Sequence, residues 1–223
     1  MSRKIIFIAD CFADQIAGGG ELNNEELIDM LKGKNYNVEK AQSHLVNRKF
    51  LEKNSESFFI ISNFLGLEAH LREQLYDYEY IIYEHDHKYI LERNPAVHKN
   101  FQAPPTSLVN YFFYKHAIAI LCQSGFHKRI LELNLNTQNV INLSGNLWSI
   151  DSLEEMRAIS SNPKSDKYSI MDSRIHHKNT AGAISYCNDK KYDYELIQDP
   201  NYFNFLKKLG SNKKFIFLPK TPE

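Results

Sequence analysis

From Lys4 onward the chain reads as an apolar run, KIIFIADCF, a glycine loop, DQIAGGGELNN, and a helical sequence, EELIDMLKGKNY. Ile5, Ile6, Phe7 and Ile8 are continuously apolar rather than alternating, the pattern of a strand buried on both faces of a parallel sheet. Gly18, Gly19 and Gly20 carry no side chains, so the backbone there turns tightly and comes close to a ligand, while Leu22, Leu27 and Leu31 mark the buried stripe of the helix. A strand, a glycine loop and a helix N-terminus in that order bring backbone N–H groups and the positive end of a helix dipole together, a place for an anion or a sugar hydroxyl. The same stretch also serves as a tight turn that binds nothing.

The alternation continues. Short β-rich segments are predicted at Tyr36–Ala41, Phe58–Ser62, Tyr80–Tyr83, Ala117–Cys122 and Asn139–Leu143, and helices at Leu45–Lys53, Leu108–His116 and Ser124–Leu133, the last capped by Ser124. RNPAVHKNFQAPP carries Pro95, Pro104 and Pro105 and reads as a long irregular loop, a common seat of function. Strands alternating with helices predict an α/β fold, a Rossmann-like doubly wound parallel sheet over residues 1–148. Residues 149–166 form a polar linker with a short helix and a capping-box pattern at Ser152 and Glu155. A second alternation over 167–223, with strands at Tyr168–Met171, Tyr194–Ile197 and Phe215–Leu218 and helices at Asn179–Tyr186 and Tyr202–Leu209, reads as part of a second Rossmann-like domain.

Lys plus Arg and Asp plus Glu are each 27, so the net charge is zero and no overall field draws the chain to nucleic acid or an anionic membrane. Asp10 breaks the first apolar run too early for a secretory signal, and no run reaches the roughly 18 residues of a transmembrane span. Cys11, Cys122 and Cys187 lie in or beside predicted elements and form no framework, which fits reduced thiols and a cytoplasmic location.

The glycine loop lacks GxGxxG spacing and the Lys-Ser/Thr of a P-loop, so neither a Rossmann dehydrogenase nor a P-loop nucleotidase fits. Glu84, His85, Asp86 and His87 follow a buried strand, at the edge where open α/β sheets bind ligands. On an extended backbone His85 and His87 point one way and Glu84 and Asp86 the other. The group reads as a general base or hydrogen-bonding pair, as a metal site lacking an identifiable third ligand, or as a solvated loop. Arg174 and Lys178, in SRIHHKNTAGAI, stand before a helix N-terminus where two cations neutralise an anion without a metal; the alternative is a solvated basic turn.

In kind and order these features resemble the retaining glycosyltransferases of GT-B fold. Gly18, Gly19, Gly20 and Glu21 resemble that family's N-terminal glycine loop, and EHDH its acceptor-side loop. Arg174 and Lys178 fall where the family places an Arg and a Lys on the donor diphosphate, with Asn179 in place of the usual following Gly. FLPKTPE resembles the approach to the E-x7-E motif, with Glu223 as its first Glu. The resemblance implies transfer of a sugar from a nucleotide-diphosphate donor to a carbohydrate, lipid-linked or other hydroxyl acceptor, without a catalytic metal or further cofactor. It implies catalytic roles for His85 and Asp86, donor binding by Gly18, Gly19, Gly20, Arg174, Lys178 and Glu223, and an acceptor side formed by Glu21, Glu84 and His87. The short second half carries the expectation of little activity in this chain alone, and leaves a two-lobed module that binds a sugar or phosphorylated ligand without chemistry as the alternative. A metal-dependent hydrolase would rest on EHDH alone.

Overall fold

The structure, a computed structural model, describes residues 3–16, 18–164, 166–173, 178–198 and 214–215. It divides into two units, Met1–Leu147 and Trp148–Glu223.

In the first unit the apolar runs become strands β1 (Ile5–Ala9), β2 (Val38–Gln42), β3 (Phe58–Ile61), β4 (Tyr80–Tyr83), β5 (Ala119–Cys122) and β6 (Val140–Asn142). They form one sheet in the order β2-β1-β3-β4-β5-β6, every neighbouring pair parallel. Between them run α1 (Gly19–Gly33), α2 (Arg48–Lys53), α3 (Ala69–Gln74), α4 (Tyr111–His116) and α5 (Gly125–Leu135). Winding proceeds one way from β1 to β2 and the other way thereafter, so right-handed crossovers place α1 on one face and the later helices on the other. The packing follows: Ile6, Ile8, Phe59 and Ile61 meet Leu51, Leu71, Phe113 and Leu131, whereas Ile5, Phe7, Ala9 and Ile60 meet Ile28 of α1. The expected doubly wound parallel sheet is present. Each fully buried Ile or Phe contributes about 1.5–3 kcal/mol. On the α1 face a groove of ≈ 480 Å³ stays open between the helix and the sheet, lined chiefly by Leu27, Leu31, Phe58, Ile60, Ile81 and Leu121.

Several boundaries move for local reasons. The second strand begins at Val38 because the end of α1 closes on itself: the Tyr36 N–H donates to the Leu31 carbonyl, and Asn35 takes a left-handed φ of 63°. The helix expected from Leu45 splits into a 3₁₀ turn, Ser43–Leu45, and α2, which Asn47 caps by accepting from the Phe50 N–H at 3.1 Å. The helix expected from Leu108 starts only at Tyr111, since Leu108 pairs with Ile90 and Asn110 turns left-handed. The 84–110 segment is irregular apart from three 3₁₀ turns, as its prolines imply.

The second unit holds α6 (Ile150–Ser160), β7 (Tyr168–Asp172), α7 (Thr180–Lys190), β8 (Tyr194–Gln198) and β9 (Lys214–Phe215), with a parallel sheet in the order β8-β7-β9. Its small core is Ile170, Ala183 and Cys187. Ser149 caps α6 by accepting from the Ser152 N–H at 3.1 Å, which replaces the cap expected at Ser152. The helix expected at 202–209 and the strand beyond Phe215 lie outside the described residues.

Candidate functional site

The reversal of winding puts a switch point between β1 and β3, and the loops that leave their C-terminal ends define a crevice of the kind that binds ligands in open sheets. Asp10, the first residue past β1, anchors it. Its carboxylate accepts from the Leu65 N–H at 3.0 Å, the Gly66 N–H at 2.9 Å and the Ser43 hydroxyl, tying the loops after β1, β2 and β3 together. Gly66 is required there, because a β-carbon would stand 2.6 Å from Ser43 Oγ and 3.2 Å from the His44 backbone nitrogen.

Across the crevice α1 starts at Gly19 with Gly18 as N-cap and no side-chain cap, so its first N–H groups stay available. Gly20 faces the sheet: a β-carbon there would lie 3.6 Å from the His85 ring and 3.7 Å from Asn63 Nδ2. Glu21 accepts from Asn63 Nδ2 at 3.0 Å. The His85 ring lies against Tyr83, tilted by 55° with its centroid 4.4 Å away. Its Nδ1 accepts from Gln123 Nε2 at 2.5 Å and its Nε2 donates to Asn24 Oδ1 at 3.0 Å, the pattern of a neutral ring protonated on Nε2. Burial first, with the Lys88 ammonium adding to it, lowers the His85 pKa to about 4. Asn24 Oδ1 accepts in addition from Ser62 Oγ at 2.8 Å, but Asn24 Nδ2 and Asn63 Oδ1 are buried without a hydrogen-bond partner among the described residues.

The two histidines of EHDH do not point together. Glu84 lies one residue past β4 and His87 adopts a left-handed φ of 58°, so the extended geometry ends within the motif. His87 Nδ1 meets the Tyr89 hydroxyl at 2.7 Å, and its ring centroid is 4.3 Å from that of His127. Glu84, expected on the acceptor side, is wholly buried and out of a ligand's reach. It accepts from the Asp86 N–H at 2.7 Å and from the Tyr114 hydroxyl, with Lys88 Nζ 3.5 Å away. Burial alone would raise its pKa; the Lys88 ammonium, the Tyr114 hydrogen bond and the neighbouring imidazoles outweigh this and hold it at about 2. Asp86 is paired with both Lys88 and Arg93, which fixes it as the hub of an ion-pair network.

Lys178 is exposed ahead of α7, whose N-cap Asn179 makes no side-chain cap. Arg174 and Glu223 lie outside the described residues. Sequence reasoning passed over Asp10, Asn24, Asn63, Lys88 and Gln123. Asp10, Asn63 and Gln123 stand within two residues of a strand end, and that adjacency is the signal that marks them; Asn24, inside α1, and Lys88, five residues past β4, carry no such local signal. Among the described residues no three His, Cys, Asp or Glu side chains are grouped to hold a metal ion.

Fold and site together define a parallel α/β protein with a polar crevice at the switch point of its first sheet. No family model matches the chain, and no curated protein does. Among solved structures, Methanocaldococcus jannaschii UDP-GlcNAc 2-epimerase in complex with UDP-GlcNAc and UDP is similar at 12% identity, over 98% of this chain and 73% of that chain, with a TM-score of 0.49.

Proposed function

We propose that the chain acts on nucleotide-diphosphate sugars as a retaining glycosyltransferase of GT-B type, its first unit serving the acceptor and its second forming part of the donor site. One observation carries the reading: an uncapped helix start, the partly exposed Asn63, whose side-chain oxygen has no hydrogen-bond partner among the described residues, and a neutral imidazole lie around the side-chain-free Gly20. Buried polar atoms without partners are costly, so such a set points to a ligand that supplies both hydroxyl donors and anionic acceptors. A sugar phosphate has both.

In the transfer the acceptor oxygen bonds to the anomeric carbon as the bond from that carbon to the diphosphate oxygen breaks, the electron pair leaving with the diphosphate and the proton of the acceptor hydroxyl passing to the departing diphosphate oxygen. His85, neutral near pH 7, holds Asn24 of α1 through Nε2–H and Gln123 through Nδ1, and so positions the wall of the crevice. Asp86, neutralised by Lys88 and Arg93, supports that loop. The backbone of Gly18–Gly20 is open to a phosphate in the first unit; to Arg174 and Lys178 the family resemblance assigns stabilisation of the leaving group. The alternative, a binding module without chemistry, gains from one fact: both His85 ring nitrogens are already engaged.

A thermal-shift titration with UDP, GDP and their sugar conjugates tests this, with Gly20→Val, Asn63→Ala and Lys178→Ala alongside. A ligand at a hundred times its Kd stabilises the native state by about 2.7 kcal/mol. A midpoint rise for one nucleotide sugar, abolished by Gly20→Val and Asn63→Ala, is expected; no rise for any conjugate overturns the proposal. Radiolabel transfer from the conjugate that binds separates enzyme from module.

A further inference from the structure

Close in sequence to Gln123 the surface carries a feature that the crevice does not explain. Phe101 is 37% exposed and Phe126 50%, and their rings meet edge to face with centroids 5.3 Å apart. The Arg129 guanidinium lies over the Phe126 ring, 5.6 Å from its centroid. Arg129 is exposed, as is Lys99, two residues before Phe101. Phe126 opens α5 three residues after Gln123, which places its backbone within about 11 Å of the residue that holds His85.

Phe101 does not reach this position cheaply. It has a left-handed φ of 62° and follows Asn100, left-handed as well at 54°. Asn adopts that conformation readily, whereas a Phe there is an outlier. The buried Asn134 of α5 enforces it: Asn134 Nδ2 donates to the Phe101 carbonyl at 2.8 Å, and Asn134 Oδ1 accepts from the Ala103 N–H at 2.8 Å. A costly backbone, pinned by a buried amide, holds out a large apolar ring that gains little from burial. Strain of this kind persists where the surrounding structure imposes it, and it collects at sites that bind.

We infer that Phe101, Phe126 and Arg129 form a binding subsite for an anionic glycoside, a sugar or aryl ring with an apolar face next to a carboxylate or phosphate. The two phenyl rings offer one face and one edge to the C–H or aromatic face of the ring. Arg129, whose guanidinium lies over Phe126, presents its fork to the anion, and Lys99 adds a second positive charge. As the acceptor subsite of a glycosyl transfer this rests on the function proposed above; as a binding site it stands by itself.

The test uses the full chain and two probes, p-nitrophenyl β-D-glucuronide and the uncharged p-nitrophenyl β-D-glucoside, titrated by NMR without any nucleotide. Saturable binding of the glucuronide is expected, with the glucoside at least tenfold weaker. Arg129→Gln should remove that difference. Phe126→Ala and Phe101→Gly should each weaken the glucuronide tenfold or more. Phe101→Gly carries a second readout, because glycine takes the left-handed conformation without penalty: the thermal midpoint should hold or rise while binding is lost, whereas a purely structural Phe101 would lose both. No saturable binding, equal affinity for both probes, or binding that survives both phenylalanine substitutions overturns the subsite. If glucuronide binds as described while no nucleotide sugar shifts the midpoint, the glycosyl-transfer reading falls and the subsite remains.

Discussion

Glu84 and Lys88 are both wholly buried and oppositely charged, so each is tolerable only because of the other. The Tyr114 hydroxyl and the Asp86 N–H complete the shell of the carboxylate, and Asp86 completes that of the ammonium. Removing one charge strands its partner. Glu84→Gln is therefore expected to cost about 3–5 kcal/mol in urea unfolding, the usual penalty for breaking a buried pair from one side. Adding Lys88→Met should recover much of that loss, since an apolar side chain of similar volume needs no countercharge. A Glu84→Gln cost below about 1 kcal/mol would mean that the network is not what holds this loop.

At the scale of elements, the switch point depends on Asp10 gathering three loops whose own sequences do not specify their mutual position. Hydrogen bonds to a charged acceptor contribute about 1.5–3 kcal/mol each, so Asp10→Ala should cost about 2–4 kcal/mol, discounted for partial exposure. Asp10→Asn, which keeps one acceptor oxygen, should cost less. Hydrogen exchange reads the effect directly: the Leu65 and Gly66 amides should exchange faster in Asp10→Ala while those of β4 keep their protection. The strands themselves are legible in the residues. Ile5–Ala9 and Tyr80–Tyr83 are continuous apolar runs bounded by polar residues, and burial on both faces admits no other pattern. The site is legible only as a location. That His85 turns toward Asn24 and Gln123 while His87 turns toward His127 depends on a left-handed residue and on partners 61 and 38 positions from His85, which no local pattern encodes. The boundary at Tyr36 moved because the Leu31 carbonyl of the preceding helix claimed its N–H, and the one at Leu108 because that segment pairs with Ile90, the Val109 N–H donating to the Tyr89 carbonyl.

For the molecule as a whole, the buried histidines and Glu84 set the response to acid. His85 and His87 have pKa values lowered to about 4, in each case by burial first. The unfolded chain takes up protons at these positions below its ordinary value of 6.5, and the native state does not. Stability they contribute is therefore intact above 6.5, falls as pH drops toward 4, and levels below it. Glu84, near 2 in the native state against 4.5 when free, adds stability that is present above 4.5 and lost as pH falls toward 2. Both trends run the same way, so the free energy of urea unfolding should decline steadily from about pH 6.5 downward. Replacing His87 with Phe should flatten the upper part of the decline; an unchanged slope would show that the imidazoles titrate alike in both states.

The place of β1 in the sheet has a further consequence. The segment Ile5–Ala9 is synthesised before either strand that flanks it, and β3 emerges only with Phe58–Ile61. At ribosomal rates of about 5–20 residues per second, that gap amounts to several seconds. Throughout it α1 and β2 are the only neighbours this apolar stretch can find, and Ile6 and Ile8 lack Phe59 and Ile61. Substitutions in Ile5–Ala9 should consequently register first in the yield of newly made protein, before any difference is visible in the melting of molecules that have already matured.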